Sequence, residues 1–328
     1  MSISKRNLQY LLGFVLVLLC SLFLLSCDGS TSGKSRSDLT SDIPSDSNER
    51  DNPGQPRDNT PQVLVPQQPG TQVAGDTGSV ILDYSNAAEG YICAQSYLKA
   101  KVKVLVNAPD GNEYQYTIHS AGYYITIPLS RGNGTYKVGV YENYQGNLYT
   151  ALFSASVGVE LSNEFGPFLY SNPYVDFKAG DQAVTLSQQL AENSTSDLEA
   201  LEQIYVYVVK TIDYDYGKAA TVAPGYLPKN SDTLRTDTGI CFDFASLTAS
   251  MLRAQRLPTK LDVGYCGSAY HAWIEVYTKE AGWVRKSIEF PGSAYVRMDP
   301  TFDSAGGGSS SASSVIGDGK NYSPIFFY

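Results

Sequence analysis

Two rhythms of apolar and polar positions divide this chain, and they meet near residue 163. Between Ser79 and Leu161 the residues alternate with a period of two, in runs rich in Val, Ile, Tyr and Thr: Ala100–Val106, Glu113–Ile118, Tyr123–Leu129, Thr135–Tyr144 and Leu148–Leu161. Successive side chains of a strand point to opposite faces, so such runs predict strands with one buried face. The breaks at 109–112, 131–134 and 145–147 carry the Pro, Asp, Asn and Gly of tight turns, and neighbouring strands are expected to close as antiparallel hairpins. With Ser79–Tyr84 and Gly90–Ser96 added, about seven strands make an Ig-like β-sandwich over 78–162. His119 and Cys93 fall inside it and read as packing or edge residues, because no second ligand type clusters beside them.

Beyond residue 163 the period lengthens. Asn163–Phe177 holds two prolines and several aromatics, the composition of an ordered connector packed on the domain after it. Ala183, Leu186 and Leu190 then share a helical face. Ser196-Asp197-Leu198-Glu199 has the spacing of a capping box, and Leu198, Leu201, Tyr205, Val208 and Ile212 form the stripe of the helix it opens. Asp213 and Asp215 read as turn carboxylates at its end. A third helical pattern opens at Cys241, puts Phe244, Leu247, Met251 and Leu252 toward a core, and stops at Pro258. Thr259–Tyr265 predicts a strand. His271 opens another, in which Ala272, Ile274 and Val276 alternate with Trp273, Glu275 and Tyr277, and a further strand ends at Asp299. The run AGGGSSSASS predicts a flexible loop, and Tyr322–Tyr328 a closing strand whose aromatics enter the core.

The N-terminal segment has neither rhythm. Lys5 and Arg6 precede an apolar run from Leu11 to Leu25, short for a membrane span, which predicts an export signal over 1–27. Leu24-Leu25-Ser26-Cys27 resembles a bacterial lipobox, and that resemblance implies lipidation at Cys27 and a chain held on the outer side of a membrane. Residues 28–77 are polar and proline-bearing, and are expected to form a disordered tether with a root-mean-square span of roughly 35–40 Å.

Charge and cysteine count narrow the chemistry. The chain of 328 residues carries a net charge of −9, and loss of Lys5 and Arg6 with the leader leaves −11. Such a surface repels phosphate backbones, so nucleic acid is not an expected partner. With Cys20 removed and Cys27 lipidated, Cys93, Cys241 and Cys266 remain, an odd number in an oxidising compartment. A Cys93–Cys266 bridge would leave Cys241 free, whereas a Cys241–Cys266 bridge would abolish thiol chemistry. Two histidines, one in each domain, are too few for an ordinary zinc site, so neither metal nor cofactor is expected.

Three polar residues stand at element boundaries. Cys241 lies at a helix start, where unpaired amides and the macrodipole favour a thiolate. Asp243 and Arg253 suit the two ends of that dipole, although a carboxylate two residues from the thiol opposes its ionisation unless it points away. His271 can accept the thiol proton and return it to a leaving amine, and Asp299 can orient the imidazole. The blocks GICFDFASLTASMLRAQRLPTKLDVGY, YHAWIEVY, GWV and MDPTFD, over about 198–303, resemble the transglutaminase-like superfamily, which shares the papain-like core. That resemblance implies an α+β protein, with an antiparallel β-sandwich followed by a papain-like catalytic domain over 163–328. It also implies that Cys241 is nucleophile, His271 base and Asp299 orienting acid, and that a thioester formed from an amide is resolved by an amine or water. The inserted Arg285–Val296 departs from the family pattern and keeps Asp303 as a reserve for Asp299. The expected activity is acyl transfer or hydrolysis on protein or peptide amides by an envelope-anchored enzyme. The alternative is a non-catalytic surface-binding lipoprotein that keeps the core as scaffold.

Overall fold

The computed structural model describes residues 57–76, 79–118, 122–284, 299–301 and 321–328. The leader with Cys27, the segment 28–56, His119, the insertion 285–298, Asp303 and the Gly/Ser run lie outside the described residues.

Eight strands form the sandwich: β1 (Val73–Asp76), β2 (Val80–Asp83), β3 (Tyr91–Ser96), β4 (Val102–Asn107), β5 (Glu113–Ile118), β6 (Tyr124–Pro128), β7 (Gly134–Gln145) and β8 (Leu148–Val159). One antiparallel sheet has the order β1-β2-β3-β6 and the other β5-β4-β7-β8. Period-two alternation puts Val102, Val104, Val106, Tyr114, Tyr116, Ile118, Val138 and Val140 inside, as strand geometry requires. The expected hairpins close at β4–β5 and β7–β8. The 131–134 stretch behaves otherwise, since β6 pairs with β3 and β7 with β4, so it arches from one sheet to the other. The Tyr136 hydroxyl pins this arch, accepting from the Arg131 amide at 2.9 Å and donating to the Leu129 carbonyl at 3.1 Å.

Part of the expected tether is placed against the fold. Arg57 pairs with Asp197 at 2.8 Å, bonds the Gln255 side chain at 3.0 Å and also donates to the Gln255 carbonyl. The Gln62 amide bonds the Ala254 carbonyl at 2.9 Å, the Gln67 amide bonds the Tyr91 hydroxyl at 2.9 Å, and β1 then extends the first sheet. Composition is polar here because these residues bond through backbone and amide groups rather than apolar side chains, and that signal mimics disorder.

The second half contains α1 (Gln182–Ala191), α2 (Asp197–Thr211), α3 (Tyr216–Thr221), α4 (Asn230–Thr236) and α5 (Cys241–Ala254). Its strands are β9 (Asp213–Tyr214), β10 (Thr238–Gly239), β11 (Thr259–Cys266), β12 (Ala269–Thr278), β13 (Gly282–Val284) and β14 (Tyr322–Phe327). Ser196 caps α2, its hydroxyl accepting from the Glu199 amide at 3.1 Å. The reciprocal Glu199 bond goes to the Thr195 amide, one residue upstream of the usual box. An antiparallel sheet of order β13-β12-β11-β14 packs against α5, whose residues 243–254 are all buried.

Aromatics bind the two halves together. Phe165 meets Tyr277 and Trp283 with ring centroids 4.3 and 5.9 Å apart, and Tyr174 stacks on Phe242 at 5.8 Å and lies 4.0 Å from Tyr328. The connector is thus ordered and packed, as its composition suggests. From the sandwich, Tyr114 packs on Phe326 at 5.3 Å and Ser130 donates to the Phe327 carbonyl at 2.7 Å.

Candidate active site

The approach to Cys241 is fixed from its own backbone outward. Short β9 and β10 pair in parallel, the Asp213 amide bonding the Asp237 carbonyl and the Asp215 amide the Gly239 carbonyl, each at 2.8 Å. Asp215 also caps α3, accepting from the Lys218 amide at 2.8 Å, so the turn-carboxylate reading matches the geometry at Asp215, while Asp213 lies in β9. Gly239 is needed for room. A Cβ there would come within 2.8 Å of the Asp243 side chain, which folds back to accept from the Ile240 amide at 2.9 Å. Cys241 is therefore the first residue of α5, ahead of the first bond of the helix, from the Asp243 amide to the Ile240 carbonyl. Amides at such a start have no carbonyl four residues back and favour an anion.

The Asp243 charge is met by partners of its own. Its carboxylate is fully buried and bonds Lys218 Nζ and the Tyr226 hydroxyl, each at 2.6 Å. The Lys218 pKa rises, because hydrogen bonds from Asp243 and Tyr226 outweigh the opposing effect of burial. Neither partner was identifiable beforehand, since they lie 25 and 17 residues from Asp243 in a stretch without periodicity.

His271 is the third residue of β12, opposite Gly264 on β11. Its Nε2 bonds Asp299 Oδ2 at 2.7 Å, and the ring is within hydrogen-bonding reach of the Cys241 thiol. With Nε2 committed to the carboxylate, Nδ1 is the nitrogen left for sulfur. Burial opposes a charge on this ring, but Asp299 and Cys241 outweigh it and raise the pKa from 6.5 to about 10. At neutral pH the Asp299 carboxylate beside it holds the ring as a cation. Asp299 is 3% exposed and buried beside the ring.

The cysteine alternatives resolve toward free thiols at Cys93, Cys241 and Cys266. Cys93 is buried, and burial lifts its pKa to about 11, the environment of an inert packing thiol. Cys241 is half-buried, and Tyr214 and Tyr270 lie close enough to sense its charge. Among the described residues no group of three or more His, Cys, Asp or Glu is arranged to hold a metal.

Tyr322 stands beside Asp299, its hydroxyl donating to Asp299 Oδ2 at 2.6 Å. Its ring meets Trp273 edge-on at 4.9 Å and lies 6.4 Å from His271. In the sequence it is one aromatic of a closing strand that reads as core. The available signal is a hydroxyl at the head of a strand otherwise ending in Ile, Phe and Phe.

The transglutaminase-like superfamily matches residues 184–287. No curated protein matches the chain in sequence. Among solved structures, a proposed cysteine protease from Cytophaga hutchinsonii is 14% identical, with TM-score 0.33, over 62% of this chain and 67% of that one. The periplasmic domain of TgpA from Pseudomonas aeruginosa is 14% identical, with TM-score 0.30, over 74% and 77%. A transglutaminase from red sea bream is 11% identical, with TM-score 0.28, over 59% of this chain and 47% of its own length. The stretch that matches the transglutaminase-like superfamily, residues 184–287, carries both Cys241 and His271.

Proposed function

We propose that this chain is an envelope-anchored thiol enzyme that transfers or hydrolyses acyl groups at protein or peptide amides, with Cys241 as nucleophile, His271 as acid and base, and Asp299 as its orienter. The supporting observation is one line of contacts: a thiol at the first position of a buried helix, an imidazolium within its reach, and a carboxylate 2.7 Å from the far ring nitrogen.

The Cys241 thiolate adds to an amide carbonyl carbon, forming a C–S bond and placing negative charge on oxygen. Amides at the start of α5 are the donors suited to that charge. As the C–N bond breaks, His271 gives its proton to the leaving amine, and a thioester remains. An incoming amine or water then attacks, His271 takes its proton, and the C–S bond breaks to restore the thiolate. Asp299 keeps the imidazolium in register through both steps. Cys27 is the proposed lipid site, and the anchored chain faces protein or peptide substrates outside the cytoplasm.

A denatured protein mixed with a fluorescent primary amine tests the reaction. Wild type should either couple the amine or release new N-termini, which separates transfer from hydrolysis, and Cys241→Ala should do neither. Unchanged turnover in Cys241→Ala would sink the assignment. Iodoacetamide at neutral pH should label Cys241 well before buried Cys266. Equal rates would favour the non-catalytic scaffold reading. Cys27→Ala should move the chain from the membrane fraction to the soluble fraction, and continued membrane association would remove the lipid assignment.

A further inference from the structure

Resting on the proposed roles of Cys241 and His271, we propose that Tyr322 is a positioning residue for the reaction: its hydroxyl fixes the orienting carboxylate of Asp299, and the β-sandwich holds the strand that delivers it.

Asp299 Oδ2 receives two donors, His271 Nε2 at 2.7 Å and the Tyr322 hydroxyl at 2.6 Å. A single hydrogen bond leaves a carboxylate free to turn about its own axis, whereas a second donor on the same oxygen fixes which lone pairs face the imidazole. The Tyr322 ring is itself held, edge-on to Trp273 at 4.9 Å.

Delivery depends on β14. It pairs with β11 from Cys266↔Tyr322 to Asp262↔Phe327, with an irregularity at Val263/Gly264. Gly264 makes that possible, for a Cβ there would lie 2.2 Å from the Ser323 carbonyl oxygen. The same glycine is opposite His271 on β12, so the close approach of β14 falls at the register of His271. Toward its other end β14 is gripped by the sandwich: Arg131 donates to the Ile325 carbonyl, Ser130 to the Phe327 carbonyl at 2.7 Å, and the Phe327 amide to the Tyr114 hydroxyl at 3.3 Å. The sandwich thereby has a part in the chemistry without touching substrate.

Among the described residues the titratable groups facing the cluster are Cys241 from α5, Asp299, Tyr214, Tyr270, Tyr322 and Cys266, whose thiol is within hydrogen-bonding reach of the Tyr322 hydroxyl. Farther along the sheet are Asp262, opposite Trp273, and the Lys260–Glu275 pair at 3.1 Å. Removing the Tyr322 donor takes one of two donors from Oδ2, which concentrates that oxygen's charge on the His271 proton while loosening its aim.

Tyr322→Phe keeps the ring and its packing. In the amine-coupling or hydrolysis assay, kcat should fall about tenfold with KM within about twofold. In the pH profile of Cys241 alkylation, the alkaline step at which His271 loses its proton should move upward by about half a unit. A merely structural tyrosine would leave that step in place. Gly264→Ala, which displaces β14, should lower kcat in the same direction. Should Cys241→Ala be inactive while Tyr322→Phe keeps wild-type kcat and an unmoved alkaline step, the positioning role is overturned and the thiol mechanism survives. Activity retained in Cys241→Ala would instead remove the mechanism itself.

Discussion

The two ends of α5 each bury a charge, and they neutralise it by opposite means. At the N-terminal end Asp243 is met by a formal charge, Lys218 at 2.6 Å, and by the Tyr226 hydroxyl and the Ile240 amide. At the C-terminal end Arg253, 1% exposed, donates among the described residues to main-chain oxygens: Thr259 through Nε and a terminal nitrogen at 3.0 and 2.7 Å, Tyr170 at 2.6 Å and Tyr328 at 2.7 Å. Both signs suit the helix dipole. The difference comes from location. The Cys241 end places a carboxylate two residues from the thiol, and a cation meets that charge. The far end has only to join the connector, the β11 start and the β14 strand, for which a planar guanidinium with five donors is well shaped.

The contrast between the ends breaks most sharply at Arg253. Arg253→Met removes donors from three main-chain oxygens and should cost about 3–5 kcal/mol in urea unfolding. A cost below about 1 kcal/mol would mean that carbonyl dipoles contribute little there. The two ends should also separate by pH. The His271 pKa is raised to about 10 against 6.5 unfolded, so its stabilisation is complete below pH 6.5 and is lost as pH climbs through 10. Unfolding free energy measured across that window should decline in wild type and flatten in His271→Gln. Lys218→Met leaves Asp243 without its cation. Because Lys218 is about a third exposed, that should cost only about 1–2 kcal/mol, yet it should slow Cys241 alkylation at neutral pH several-fold as the carboxylate turns its field on the thiol. Smallest is Tyr226→Phe, about 1 kcal/mol for one hydrogen bond to a charged partner, read as a shift of a few degrees in Tm.

Much of this architecture was legible because it is local. The strands announce themselves by alternation, α2 by Ser196 and Glu199, and α5 by Gly239, Cys241 and the apolar stripe from Phe244. His271 and Asp299 could be proposed because scarce or polar residues at the ends of predicted strands carry a strong signal, and the geometry brings them together at 2.7 Å. What escaped is non-local. Lys218 and Tyr226 reach Asp243 only after α3 and the turn beyond it fold over the helix start. Tyr322 has the pattern of a core aromatic, and only its register against Cys266 shows the hydroxyl its partner. The arch at 131–134 has hairpin chemistry, and pairing with β4 is what sends β7 to the other sheet. The strap from Arg57 reads as disordered because its anchoring is by hydrogen bonds, which composition does not record.

That strap sets a path for mechanical load. A pull on the chain upstream of Arg57 arrives first at Gln255 and Asp197, then at the Gln62–Ala254 bond, all at the foot of α5 or on the neighbouring α2. The sandwich takes the strain only later, through Gln67 and β1. Helix α5 rises about 1.5 Å per residue, so its 14 residues set the thiol roughly 20 Å from the point of traction. Tugging would shear an amide-and-guanidinium clasp while the Cys241 end stayed slack.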